Sequence, residues 1–360
     1  MVPANLAECG GNQDRILATA PTSGVAGTVK RLDLSVVVIG RNEEAHLGSA
    51  LDSFEAIPLA CEVIYVDSAS SDQSVGVALH HGAQVASLAP AAHLCAAAGR
   101  YVGTLFARAP WILYLDGDMQ LTPEFARQIP ECLRAAGTAP EIGGFVGLYQ
   151  NVHEDGSVRS NLLRQRLDRA EADTFGGAVL ASRAAVLSAG NWDFRVSSYE
   201  ELDLHSRLVG AGYALRFVPT PMVIHHTDTP SLLPMLFSLF LPFGRRNRRM
   251  LGIGQLIRSR LRTRSLARFA EFYPYPFVYL LLVAAGIAVA ALPFQGALAG
   301  LALPVAGAIY VARSRGVPSV VVYLSFPLRI LLGAMSYPSH WEPSFEIMDA
   351  SGGTAGAART

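Results

Sequence analysis

Short, nearly unbroken apolar runs recur through the first third of the chain. Each is followed by polar residues and then by apolar positions at helical spacing. Leu34–Ile39 runs into Gly40-Arg41-Asn42-Glu43-Glu44, after which Leu47, Leu51 and Phe54 recur along one helix face. Val63–Val66 ends in Asp67, and Ser70-Ser71-Asp72 opens the next helix. A further strand is predicted at Gln84–Leu88, and Trp111–Leu115 leads into Asp116-Gly117-Asp118. Unbroken apolar runs suit strands buried on both faces, and their alternation with helices predicts βαβ units on a parallel sheet. No G-x-G-x-x-G follows the first strand, so the dinucleotide-binding fingerprint is absent.

Ligands of open α/β sheets bind at the carboxyl ends of the strands, which is where Asp67 and Asp116 fall. Asp116 and Asp118, spaced by a glycine that lets the backbone approach a ligand, offer oxygen to a hard cation such as Mg²⁺ or Mn²⁺. A solvated Asp-Gly turn with Asp118 or Thr122 capping the next helix is the competing explanation. A second acidic group, Ser197-Ser198-Tyr199-Glu200-Glu201-Leu202-Asp203, enters a helix that carries Leu204, Arg207 and Leu208. Glu200, Asp203 and Arg207 share one face, and Asp203 with Arg207 at i, i+4 is spaced to pair. Glu201 projects at a different angle. A capping box, Ser197 with Glu200 or Ser198 with Glu201, accounts for these acids structurally.

Five strings taken together, "SVVVIGRNEEAHLGSALDSF", "EVIYVDSASSDQS", "WILYLDGDM", "TFGGAVLASR" and "SYEELDLHSRLVGAGYALRFVPTPMVIHH", resemble family-2 glycosyltransferases of the GT-A fold over residues 33–228. The resemblance implies an α/β domain with a mostly parallel sheet flanked by helices and a nucleotide-sugar-dependent, inverting sugar transfer. It places Asp67 at the base-contacting aspartate and Asp116 and Asp118 on the Asp-x-Asp, with Asp118 the metal ligand. Arg100 falls at a basic position near the donor diphosphate, and Arg41, Asn42 and Glu43 join the donor-binding set. Glu201 falls on the catalytic base, His225 near the metal or diphosphate, and Gly176-Gly177 on a substrate-facing loop, with Glu200, Asp203 and Arg207 on the acceptor side. The chain departs from the family in using Glu rather than Asp as base and "VDSAS" in place of "VDDGS". An acceptor hydroxyl must lose a proton as it attacks, so one carboxylate base suffices, unlike the pair of a glycosidase.

The later chain changes the picture. Hydrophobic residues make up 51% of the 360, and no charge occurs between Phe272 and Ala312. Pro293-Phe294-Gln295-Gly296 divides that run, which predicts spans at about 275–292 and 296–312, and a third apolar stretch at 317–337 carries Arg329. Arg245-Arg246-Asn247-Arg248-Arg249 and the arginines from Arg258 to Arg268 favour a cytoplasmic flank. Ser231–Phe243 is expected in the membrane interface. The resulting plan is a disordered tail (1–30), a catalytic domain (31–230), an interfacial basic segment (231–270), transmembrane helices (271–340) and a C-terminal tail (341–360). Location at the inner (plasma) membrane with a cytoplasmic catalytic domain follows. The formal net charge of +0 and the lack of interleaved aromatics argue against nucleic acid. Cys9, Cys61, Cys95 and Cys132 are isolated, which argues against zinc and suits a reducing compartment. The expected acceptor is a membrane-held hydroxyl on a lipid-linked or growing glycan. Two alternatives remain: a polyprenyl-phosphate sugar synthase, whose anionic acceptor needs no base, and a non-catalytic membrane scaffold of the same fold.

Overall fold

The structure is a computed structural model that describes residues 31–91, 93–153, 157–161, 170–172, 174–227, 251–261, 264–290, 305–309, 313, 317–348 and 354–359. The chain forms two compact units. One comprises Met1–Arg195, Arg207–Asp228 and Ser339–Thr360, and the other Val196–Ser206 and Thr229–Pro338.

The first unit is built on one sheet. Its parallel centre is β3 (Gln84–Leu88), β2 (Cys61–Asp67), β1 (Leu34–Gly40) and β4 (Trp111–Asp116), in that spatial order. These are the four strands that the apolar runs predict, and Leu34, Val36, Val37, Val38 and Ile112–Leu115 are fully buried in them. Beyond β4 the sheet continues through β8 (Val179–Ser182), β6 (Ile142–His153), β9 (Ala214–Thr227) and β5 (Met119–Leu121). β8 is antiparallel to both β4 and β6, and β5 is antiparallel to β9. β7 (Val158–Asn161) forms a hairpin with β6. Residues 341–360, expected as a tail, instead supply β10 (Ser344–Met348), antiparallel to β3, and β11 (Thr354–Arg359) at the sheet edge. Apolar positions are too sparse in this segment to show a period; Phe345 is buried edge-to-face with Phe106, and Met348 packs against the core.

Helices α1 (Glu44–Asp52), α2 (Ser74–His80), α3 (Ala96–Phe106), α4 (Pro123–Thr138) and α5 (Arg183–Ser188) belong to this unit. Thr122 caps α4 by accepting from the Phe125 amide at 3.2 Å, with Pro123 as its first residue. α3 lies unusually close to β1. A Cβ on Gly99 would come within 3.0 Å of Ile39, and one on Gly103 would collide with Val37. Two glycines one turn apart therefore let the helix settle onto the sheet, and Arg100 rides between them.

The second unit contains the first part of α6 (Glu200–Gly210), together with α7 (Gly252–Arg260), α8 (Arg264–Phe272), α9 (Tyr275–Ala290) and α10 (Val317–Met335). Gly252–Leu256, expected in the interfacial segment, are buried. α7 crosses α10 at Gly254 and Gly333, where a Cβ on Gly333 would lie 2.9 Å from the Gly254 Cα. Val196, Ile253, Leu256, Phe269 and Phe326 form the small core. Among the described residues no helix is long and apolar enough to cross a membrane. Within the described residues α9 spans 16 residues, about 24 Å. Ser231–Phe243, Arg245–Arg249, Pro293–Gly296 and most of 296–312 lie outside the described residues.

Candidate active site

Register brings the strand ends together. Gly40 pairs with Asp67 across β1 and β2, and Ile39 pairs with Asp116 across β1 and β4. Asp67 is 1% exposed and accepts from the Ser87 hydroxyl (2.9 Å) and the Ser70 amide (3.1 Å). Ser87 is its register partner on β3, which no local sequence signal reveals.

The loop after β1 is bound to the loop after β2. The Asn42 amide donates to Ser70 Oγ (2.9 Å), the Ser71 amide to Asn42 Oδ1 (2.8 Å), the Glu43 amide to Ser74 Oγ (2.8 Å) and the Gln73 amide to Glu44 Oε2 (2.7 Å). Asn42 adopts a left-handed backbone (φ 59°), which asparagine tolerates. Arg41 is exposed beside it. Glu43 fills the space left by two glycines: a Cβ on Gly40 or on Gly117 would come within 3.0 Å of its Cγ. Burial, then the charges of Asp118, Asp116 and Asp72, push the Glu43 carboxyl up to about 7, against the opposing pull of His225.

Arg100, 1% exposed, donates from Nη2 to Asp116 Oδ1 at 2.7 Å, and its guanidinium lies 4.9 Å from the centre of the Trp192 ring. Trp192 in turn meets Tyr114 and Phe175 edge-to-face. Gly177 touches the same carboxylate, since a Cβ there would collide with Asp116 Oδ2 and lie 2.9 Å from Met119 Cε. Gly176 precedes it in the same loop. Arg100, Asp116 and Gly177 are thus assembled; Trp192, from a distant segment, escapes sequence reasoning.

Asp118 follows one residue on. His225 Nε2 stands 3.3 Å from its Oδ2, and His225 Nδ1 is 3.1 Å from Asn151 Oδ1, so both ring nitrogens are engaged. Burial lowers the His225 pKa, but the hydrogen bond and charge of Asp118, with Asp116 and Glu43, outweigh it and raise it overall. His226 stacks on His46 at 4.9 Å and meets Gln120 at 3.3 Å. The other Asp118 oxygen, Oδ1, is buried without a hydrogen-bond partner. An orphaned carboxylate oxygen fits a cation held with a substrate's own oxygens. Among the described residues no three His, Cys, Asp or Glu side chains form a metal-binding group. His225 is a partner of Asp118.

The remaining acids lie on α6. Glu200, Glu201 and Asp203 occupy its first turn in the second unit, with Glu200 and Asp203 buried and Glu201 half-buried. Asp203, 1% exposed, accepts a fork from Arg260: Nε at 2.8 Å and Nη2 at 2.9 Å. Arg207, one turn on from Asp203, binds the Asn191 carbonyl with Nη1 at 2.6 Å and also the Ala189 carbonyl. Arg260 belongs to the basic stretch that sequence reading assigns to a membrane flank. The Ser197 amide and hydroxyl both donate to Gln255 Oε1, at 2.9 and 2.7 Å.

Residues 35–198 match the family model described as Glycosyl transferase family 2. Among solved structures, the mannosyltransferase PcManGT from Pyrobaculum calidifontis, in complex with GDP-Man and Mn²⁺, is similar in fold. It has a TM-score of 0.55 at 18% identity, with 91% of this chain and 94% of that chain covered. S. aureus TarS 1-349 in complex with UDP-GlcNAc matches with a TM-score of 0.49 at 12% identity, covering 91% and 99%.

Proposed function

We propose that this chain is a metal-dependent glycosyltransferase that moves a sugar, with inversion, from a nucleotide-sugar donor to a hydroxyl on a membrane-held acceptor. The observation that carries the reading is the convergence of Asp67, Asp116 and Asp118 at adjacent strand ends, with the buried Asp118 Oδ1 lacking a partner, inside the stretch that matches the family-2 model. That the similar mannosyltransferase was solved with GDP-Man and Mn²⁺ supports the donor class and the metal.

Asp67 takes a polar group of the nucleoside, held in orientation by Ser87 and the Ser70 amide. Asp118, with Asp116 beside it, holds a divalent ion that, when bound, neutralises charge on the diphosphate leaving group. Arg100 fixes Asp116 and adds fixed positive charge to the same end of the sheet. The bond from the anomeric carbon to the diphosphate oxygen breaks as the acceptor oxygen bonds to that carbon. The acceptor proton passes to Glu201, and the nucleoside diphosphate leaves. In this proposal Glu200, Asp203 and Arg207 hold the helix that carries Glu201, and Gly176-Gly177 keep the substrate-facing loop clear. Exposed Val278, Leu281 and Ile287 on α9 and Leu328, Leu331 and Met335 on α10 form apolar surface suited to a bilayer and support attachment at the cytoplasmic membrane face.

The test is transfer from radiolabelled nucleotide sugars to extracted lipids by the detergent-purified protein. Asp118→Asn is expected to lose about 10²-fold or more, the scale of several kcal/mol of charge stabilisation. Glu201→Gln is expected to lose about 10²–10⁴-fold with donor binding retained. Full turnover in EDTA would refute the metal assignment, and full turnover by Glu201→Gln would favour a phosphate acceptor.

A further inference from the structure

The second unit holds a partly buried arginine, one of whose guanidinium nitrogens has no partner. Arg329 lies in α10, and among the described residues its Nη2 is shut off from solvent with no hydrogen-bond partner. A guanidinium nitrogen in that condition is costly, because desolvation of a charged donor is not offset by a bond. Structures keep such a group where a ligand completes it.

The surroundings point to the ligand. Phe326, one turn before Arg329, is buried, and its cluster includes the half-buried Tyr199, Tyr273, Phe277 and Ile330. Burial draws the Arg329 pKa down from its ordinary value, and Tyr199 pulls it the other way. Tyr199 stacks obliquely on Tyr273, with ring centres 5.7 Å apart. Its backbone is left-handed (φ 66°), a costly conformation for an aromatic residue that must be held by its surroundings. Gly252 and Ser198 hold that turn: a Cβ on Gly252 would lie 2.5 Å from the Ser198 carbonyl oxygen and 2.6 Å from its amide nitrogen. Glu200 and Glu201 follow directly in α6. The unit therefore places a half-buried guanidinium with one unpartnered nitrogen and a strained tyrosine in one apolar, aromatic setting, beside the turn that leads to the proposed base.

We propose that Arg329 anchors a phosphate oxyanion of the acceptor, with the partly exposed side chains of Tyr273, Phe277 and Ile330 taking the apolar group attached to it. A guanidinium offers paired donors that match phosphate oxygens, and its weak hydration suits an apolar site better than an ammonium would. The assignment of this phosphate to an acceptor rests on the transferase reading; the anion site itself does not. Two sources share the chemistry, a lipid phosphate and a soluble phosphorylated glycan.

The experiment uses the full-length protein in detergent, with Arg329→Lys and Arg329→Met alongside. Thermal unfolding is followed with inorganic phosphate, and co-flotation with phosphatidylcholine vesicles that contain or lack a polyprenyl monophosphate. Phosphate is expected to raise the wild-type midpoint, as any ligand of the folded state does. Affinity should fall roughly 10- to 100-fold in Arg329→Met, the worth of one charged hydrogen bond. Arg329→Lys keeps the charge but not the fork, and should fall in between; it decides the matter if the Met variant fails to fold. Arg329-dependent flotation only with polyprenyl monophosphate identifies the lipid source, whereas protection by free phosphate without that preference identifies the soluble one. Equal phosphate and vesicle binding by wild type and variants, with a higher midpoint for Arg329→Met, would overturn the proposal and mark Arg329 as an unpaired structural charge. Wild type that binds phosphate through Arg329 but binds no nucleotide sugar with Mn²⁺ would sink the transferase reading and leave the anion site standing.

Discussion

Ala69 sits in the turn between Asp67 and Ser70 with φ 58°, a conformation that costs an alanine about 1–2 kcal/mol. Glycine removes that strain but loses about 0.5–1 kcal/mol more backbone entropy on folding. Ala69→Gly should therefore leave stability unchanged or raise it by up to about 1 kcal/mol, measured by urea unfolding. Glu43 gives a pH signature of opposite character. Its carboxyl is raised from 4.5 to about 7, so the folded state holds a proton that the unfolded chain has released. Stability from that proton is complete below about 4.5, declines as pH rises and is gone above about 7. In metal-free protein Glu43→Gln should match wild type at low pH and melt higher at pH 8; a constant difference across the range would contradict the assignment. Asp67, Asp116 and Asp118 were legible in the sequence because a strand end and its following turn are local features. Arg260 opposite Asp203 and Trp192 over Arg100 were not, because their meeting depends on how distant segments cross.

At the scale of elements, the close seat of α3 on β1 is set by Gly99 and Gly103. A methyl at residue 103 would collide with Val37, which is itself fully buried, so the helix must shift outward. Gly103→Ala should cost about 1–3 kcal/mol, as overpacking does. Because Arg100 belongs to the same helix, nucleotide-sugar affinity should fall as well. Urea unfolding and a donor titration test the two effects separately, and loss of stability with intact affinity would show that α3 does not set the position of Arg100. The four central strands were readable because burial on both faces leaves unbroken apolar runs. The strands of the C-terminal segment were not: β10 gains its place by adding to the edge of β3, with backbone bonds that leave little mark on composition.

At the scale of the whole molecule, the apolar excess among the described residues has two destinations. Part of it fills the small core around Phe269 and Leu256, and part remains outside, with Leu281 70% and Met335 75% exposed. Uncharged length alone does not distinguish a span from helices that share a core and present one face. If the exposed part meets a bilayer, the protein should float with phosphatidylcholine vesicles at high salt, and Leu281→Gln with Met335→Gln should reduce flotation while donor binding persists. Retention of flotation by that double variant would point to other segments as the anchor. The sheet also orders events during synthesis. β3 ends at Leu88, yet its outer neighbour begins only at Ser344. While the intervening chain is being made, the outer edge of β3 has no strand from this chain to pair with, and such an edge is a template for another chain. The nascent domain must therefore pass through a long interval in which its donor end is already encoded but its flank is open, a window in which a chaperone has more to protect than in a domain closed by its neighbours in sequence.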